Sequence, residues 1–384
     1  MNENQSAAKF FENVAQIIEN ARSFVGRTAD LTMCLTYFEV GRMIVEEEQG
    51  GKARAEYGSR LMPELANYLT EKFKRGYSLS TLKNAKQFYN VYNPIIGQRL
   101  SESGLVQKSQ SLISFFDNQK FTEKSQLMTS QSHPFTVSWT HYLVLMRIKN
   151  EDERSFYEIE AARQQWTVDF LKRQYGSSLY ERLALSRDKD EVMRLAKEGQ
   201  PIEKPRDILK NPLVLEFLNM ADDAAYSESD LENAIISKLS NFLLELGKGF
   251  LFEARQKRFT FDEKHFFVDL VFYNRLLNCY VLIDLKPKEL IHQDLGQMSM
   301  YVNYFDRYVK TEKENPTVGI LLCREKNDNI VELTLPENSN IYASEYSLYL
   351  PDKSLLQSKL AEWIEEYEDE QEIRKLVSEN GEEI

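Results

Sequence analysis

The 384-residue sequence predicts an α + α/β chain. An all-helical N-terminal part should precede a domain built as helix, three meandering strands, helix and a further strand (αβββαβ). Three observations carry this expectation. Apolar residues recur at helical spacing through residues 1–95. Residues 265–286, HFFVDLVFYNRLLNCYVLIDLK, read as two strands rich in Val, Ile, Phe and Tyr around the short turn NRLLN. Between these regions, SRDKDEVMRLAKEGQPIEKPRDILKNP carries Pro201, Pro205 and Pro212 and reads as a connection. The expected boundaries are 1–185 for the helical domain, 186–212 for a linker, 213–360 for the α/β domain and 361–384 for an acidic tail.

In order along the chain, helices are expected at 6–24, 30–48, 58–74 and 80–92. LMPELANYLTEKFK, the break RGYS and LSTLKNAKQFYNVY have the grammar of a helix-turn-helix. Ser80 would cap the second helix, offering Lys83, Asn84, Lys86 and Gln87 to a DNA groove. Residues 101–134 are rich in Ser and Gln and read as a loop or wing-like insert. Helical pattern resumes from Val137. There Trp139, Tyr157 and Trp166 suit buried packing, and His141 and Arg154 suit structural hydrogen bonding better than phosphate contact. In the second half, SESDLENAIISKLSNFLLELGKG reads as a helix opened by Ser229 or Asp230 and closed by Gly247 or Gly249. Strands follow at 249–261, 265–274 and 278–286, then a helix at 293–306 and strands at 317–323 and 343–350.

Composition narrows the function classes. Apolar content of 42% is ample for packed cores. The N-terminus lacks an apolar signal core, and no run approaches the roughly 20 apolar residues of a membrane span. A cytoplasmic protein without membrane contact is expected. Cys34, Cys279 and Cys323 are too few and too scattered for a disulfide framework or zinc site, and the four histidines show no ligand spacing. Phosphate-binding loops, G-x-G-x-x-G and G-x-S-x-G are absent, so ATP, NAD and serine-hydrolase chemistry lack support. The net charge of −12 is unevenly placed. Residues 361–384 hold ten acidic and two basic side chains, whereas 52–108 hold ten basic and four acidic. A local basic region can bind phosphate whatever the total.

Charges embedded in the apolar strands mark the candidate site. Strand side chains alternate faces, so Tyr280, Leu282, Asp284 and Lys286 should share one face, and Asp269 should share its face with Phe267 and Val271. Buried charges need partners. Two hard oxygen ligands on adjacent strands suit Mg²⁺, and a lysine two residues on points towards a scissile phosphate. D-x-K by itself also fits a structural Asp–Lys pair. Two flanking residues point inward as well. Glu232 heads the apolar stripe Ile235, Ile236, Leu239, Leu243 and Leu246, and Gln297 lies in register with Met300, Tyr301 and Tyr304. Asp294-x-x-Gln297 is also a plausible capping box.

The Asp269…Asp284-x-Lys286 pattern resembles the PD-(D/E)XK nuclease superfamily. LENAIISKLSNFLLELGKGF, FEARQ, the two strands, HQDLGQMSMYVNYFD and WTHYLVLMRIKNEDERSFYEIEAARQQW together resemble its YhcG-type family. The resemblance implies a restriction-endonuclease-like αβββαβ nuclease domain behind a helical, winged-helix-like DNA-binding domain. Asp284 stands where many members carry Glu. The implied activity is Mg²⁺-dependent hydrolysis of DNA phosphodiesters, with Mn²⁺ able to substitute. Asp269, Asp284 and Glu232 would hold the metal, Lys286 would position the attacking water, and Gln297 would orient water or phosphate. RNA as substrate and a homodimeric state are left open. The rival expectation is a non-catalytic DNA-binding or complex-assembly protein that uses the nuclease fold as a scaffold.

Overall fold

A computed structural model of the chain describes residues 3–50, 55–74, 76–102, 134–185, 189–220, 226–336, 339–350, 352–358 and 360. Contacts divide the chain into two compact units, Met1–Leu171 and Lys172–Ile384. The expected acidic tail and residues 103–133 of the expected insert lie outside the described residues.

The first unit is helical: α1 (Glu3–Gly50), α2 (Ala55–Phe73), α3 (Leu79–Glu102), α4 (Trp139–Leu145) and α5 (Glu151–Arg163). The two helices expected before residue 50 are one. The intervening VGRTA has no proline, and a lone helical glycine costs only about 1 kcal/mol. Helix α3 likewise runs past its expected end at 92, through Pro94 to Glu102. It packs on α1 at Gly41, where an added Cβ would lie 2.1 Å from the Ala85 carbonyl oxygen. Only glycine permits so close a crossing. Leu82, Ala85, Phe88 and Tyr92 form the buried stripe of α3, and Phe88 meets Phe135, Trp139 and Tyr142. Trp139 also stacks on Tyr37, with centroids 4.3 Å apart. His141 bridges Ser138 Oγ (2.6 Å) and the Trp166 carbonyl (2.8 Å), and Arg154 donates to the Ile148 carbonyl at 3.0 Å. These side chains organise the helical core.

Helix α6 (Val168–Gly176) crosses into the second unit, followed by α7 (Leu179–Leu185) and α8 (Lys189–Glu198). The mixed α/β part holds β1 (Leu213–Val214), α9 (Glu228–Ser237), α10 (Leu239–Leu246), β2 (Phe250–Phe261), β3 (Lys264–Asn274) and β4 (Cys279–Glu289). It ends with α11 (His292–Tyr308), β5 (Val318–Glu325), α12 (Asp328–Thr334) and β6 (Ile341–Ser347). The six strands form one sheet in the order β1-β6-β5-β4-β3-β2, with β2, β3 and β4 antiparallel and the remaining pairs parallel. Asp262 (φ 50°) and Glu263 (φ 62°) turn the tight β2–β3 hairpin.

Each sheet face buries its own core. Leu270, Phe272, Val281, Ile283 and Leu285 pack with Leu231 and Ile235 of α9. Val271, Leu282 and Leu321 pack with Leu295, Met298, Tyr301 and Phe305 of α11. At Gly319 a Cβ would fall 2.7 Å from Met298, so α11 lies directly on β5. A buried ionic network holds α7 to α10. Arg182 Nη1 donates to Glu245 Oε1 (2.6 Å), Arg173 Nη1 to Glu245 Oε2 (3.2 Å) and the Val214 amide to Glu245 Oε1 (3.1 Å).

Candidate active site

The start of α9 decides which carboxylates reach the sheet. The expected helix opens earlier than Ser229, at Ser227, whose Oγ accepts from the Asp230 amide (3.2 Å) while Asp230 Oδ2 accepts from the Ser227 amide (2.9 Å). This reciprocal cap makes Glu228 the first helical residue. The helix breaks at Lys238 and resumes as α10, which Gly247 closes at φ 100°.

The sheet is irregular at the site itself. In β2–β3, Arg255 pairs with Leu270 and Lys257 with Val268, leaving Gln256 opposite Asp269 at φ 46°. Non-glycine residues rarely adopt that conformation. The β3–β4 ladder ends at Leu270↔Ile283, and continuing its register sets Asp269 against Asp284. Instead of a backbone pair, Asp269 Oδ2 accepts from the Leu285 amide at 2.8 Å. Side-chain alternation slips here. Val268 and Val271, three residues apart, both join the core under α11. Phe267, between Phe266 and Val268, therefore does not share the face of Val271 as strict alternation predicts. On β4 the alternation holds, and Asp284 follows Leu282 on the α11 side.

Asp269, Asp284 and Lys286 do converge. Oxygens of Glu228, Asp269 and Asp284 lie within 4.8 Å of one another. Lys286 Nζ is 2.7 Å from Asp284 Oδ2 and 3.4 Å from Glu228 Oε2. The first contact sets the ammonium against a carboxylate oxygen that is itself buried. Burial, then the neighbouring Asp269 charge, pushes the Asp284 carboxyl up to about 7 against the pull of Lys286. Burial and Asp269 raise Glu228 in the same way. For Lys286 burial opposes the charge, but Asp284, Glu228 and Asp269 outweigh it and hold the ammonium above its usual range.

Glu232 is placed differently from the expectation. It is buried and lines the same cavity, but its oxygens are taken by Arg255 and by Gln256 Nε2 (2.7 Å). Gln256 Nε2 also donates to Asp269 Oδ1 at 2.9 Å, so one amide ties Glu232 to the aspartate. The helix carboxylate gathered with the aspartates is Glu228, one turn earlier. Gln297 lines the cavity and donates to the Tyr301 hydroxyl. The expected capping box is instead closed between Asp294 and the Ile291 amide (3.0 Å), which leaves Gln297 for the cavity. Burial, then the Asp284 charge, raises Tyr301 to about 12.

On α3, Lys83 and Gln87 are exposed, and Asn84 and Lys86 half-buried. Lys86 is ion-paired to Glu48, and Gln87 Nε2 donates to the Met146 carbonyl at 3.2 Å. Glu228 and Gln256 do not stand out in the sequence. A serine cap three residues before Asp230 is the signal for the first; the second has none beyond its polar position in a strand.

The YhcG PDDEXK nuclease domain family matches residues 206–361, and the DUF1016 N-terminal domain family matches residues 13–182. The chain is 36% identical over 355 residues to "Putative nuclease YhcG" of Escherichia coli (strain K12), covering 91% of this chain and 92% of that protein. The chain belongs to the YhcG family of PD-(D/E)XK nucleases. It pairs the two matched domains, and the enzyme class is nuclease. Among solved structures, a repair endonuclease from Pyrococcus abyssi matches at 21% identity and a TM-score of 0.22, covering 34% of this chain and 50% of that one. The EndoMS-dsDNA2 complex matches at 18% identity and a TM-score of 0.24, covering 35% of this chain and 49% of that one. Among the described residues, no helix is long and apolar enough to cross a membrane.

Proposed function

We propose that this nuclease hydrolyses DNA phosphodiester bonds with Mg²⁺, for which Mn²⁺ substitutes. The observation that carries the reading is the set of three carboxylates, from α9, β3 and β4, gathered beside a lysine. The donor set fits a hard divalent cation. All three ligands are oxygens, and they lie close enough together to share one ion. Asp269, Asp284 and Glu228 would hold the ion, with Glu232 acting behind them through Gln256. A bound ion supplies Lewis-acid neutralisation of phosphate charge and a lowered water pKa.

The chain's own groups do the rest. Lys286 stays charged, so it serves as a donor and electrostatic stabiliser for the attacking water and the developing phosphate charge, not as a general base. Gln297, steadied by Tyr301, orients water or a phosphate oxygen in the same cavity. The helical region 1–185, with its basic stretch 52–108, supplies phosphate contacts, Lys83 among them. Retention of every carboxylate and the lysine favours chemistry over a scaffold role.

Purified protein should be incubated with Mg²⁺, Mn²⁺ or chelator and a panel of linear, nicked, branched and single-stranded DNA and RNA. Metal-dependent cleavage of DNA, absent in Asp284→Asn, is the expected result. Cleavage that persists in chelator, or in both Asp284→Asn and Lys286→Ala, would place the active site elsewhere.

A further inference from the structure

The β2–β3 hairpin, which carries Asp269, also contributes His265, Phe266 and Phe267 to the lining of a cavity of about 370 Å³. Phe267 is 46% exposed. Its neighbours explain why it does not join a core: Phe266 stacks on Phe259, with centroids 5.4 Å apart, and Val268 packs beneath α11. The ring between them faces the other way. Among the described residues Phe267 forms no ring pair, and of the exposed aromatic side chains it alone lines this cavity. Exposing an aromatic ring beside three carboxylates gains nothing for folding. The same hairpin brings positive charge to the rim. Arg258 is exposed, with Nη2 3.0 Å from a ring nitrogen of His265, and His265 Nδ1 lies 3.0 Å from Thr260 Oγ1.

An aromatic face next to a cation, at the edge of a phosphate-hydrolysing centre, fits a nucleotide. Every base has a π-face, so stacking on a side chain binds nucleotides without reading sequence. Bases inside a duplex have both faces covered, and a base reaches a side chain only when taken out of the stack. The cavity has the volume of a small-ligand site, suited to one nucleotide and not to a double helix. We propose that Phe267 is a stacking platform for one unpaired nucleobase of the strand being cut, with Arg258 and His265 holding a phosphate of that strand. The proposal rests on the DNA reading above and narrows it: the preferred substrate presents unpaired nucleotides at the cut, as in a single strand, a flap or a frayed end.

The test uses the full chain in the Lys286→Ala background with Mg²⁺ for binding, and the parent background for cleavage. Single-stranded and blunt fully paired oligonucleotides of mixed sequence are the probes. Phe267→Ala should weaken single-strand binding roughly 5- to 150-fold, the range expected for removing one base–aromatic stack. Phe267→Trp should retain binding, whereas Phe267→Leu, apolar but without a π-face, should behave like the alanine variant. Phe261→Ala, exposed on the same hairpin but away from the cavity, serves as the control. In cleavage, the parent should favour the single strand, and Phe267→Ala should erase that preference. The proposal is overturned if Phe267→Leu matches the parent, or if Phe267→Ala lowers binding to both probes equally. A parent that cleaves neither probe in Mg²⁺ or Mn²⁺ defeats the DNA reading itself, a separate result.

Discussion

Asp284 carries the central conflict of the site. Burial and Asp269 oppose its charge, Lys286 favours it, and its carboxyl is left near 7. A carboxyl raised in the folded state binds a proton that the unfolded chain has already lost. The metal-free protein should therefore lose stability as pH rises from the ordinary carboxylate range towards 7. A divalent cation needs the deprotonated ligand, so its stabilising effect should grow over the same interval. Thermal melts with and without Mg²⁺ at pH 5, 6.5 and 8 check this. Equal melting-temperature gains at all three would mean that the ion does not displace a proton from this cluster. Lys286→Ala should lower the cleavage rate by about 10²–10³-fold, the scale for removing one pre-organised charge-stabilising donor, with DNA affinity little changed. Asp269, Asp284 and Lys286 are legible because charges inside apolar strand runs stand out. Glu228 is not, because an acidic residue in a first helical turn is expected anyway. Only the cap at Ser227 tells which turn faces the sheet.

At the scale of elements, the sequence reads the strands closely and misses the places where they depart from regularity. Expected strands at 265–274 and 278–286 appear as Lys264–Asn274 and Cys279–Glu289. The slip at Asp269 opposite the positive-φ Gln256 is hidden, since alternation assumes an unbroken pleat. Nor does sequence show that Arg173, Arg182 and Lys210 surround Glu245, because those groups are distant along the chain. Burial alone would push Glu245 up, but the three cations hold it down at about 2. Its contribution should be present above the ordinary Glu range and fade as pH falls towards 2. Removing the carboxylate strands buried cations, so Glu245→Ala should cost about 3–5 kcal/mol. Denaturant unfolding at neutral pH measures the cost. A destabilisation below about 1 kcal/mol, the scale of a surface pair, would show that the network contributes little.

Over the whole molecule, charge is divided between regions that sequence shows more plainly than structure does. Residues 361–384 carry ten acidic side chains against two basic, and 52–108 carry ten basic against four acidic. On α3 the two lysines differ: Lys83 is exposed, while Lys86 is already paired to Glu48. If this region grips DNA, Lys83→Ala should reduce the salt dependence of binding by about one unit for each phosphate that the lysine neutralises. Lys86→Ala should act by another route, uncovering Glu48 and adding local repulsion, so it should weaken affinity with a smaller change in slope. Truncation after residue 360 removes a net charge of −8 and should tighten binding, most at low salt where screening is weakest. Gel-shift titrations of the three variants and the parent at two salt concentrations separate these effects. Unchanged affinity and slope in Lys83→Ala and Lys86→Ala alike would take DNA contact away from α3 and leave it with the nuclease domain. A truncated chain that binds no tighter at low salt would show that the acidic segment does not reach the field the DNA meets.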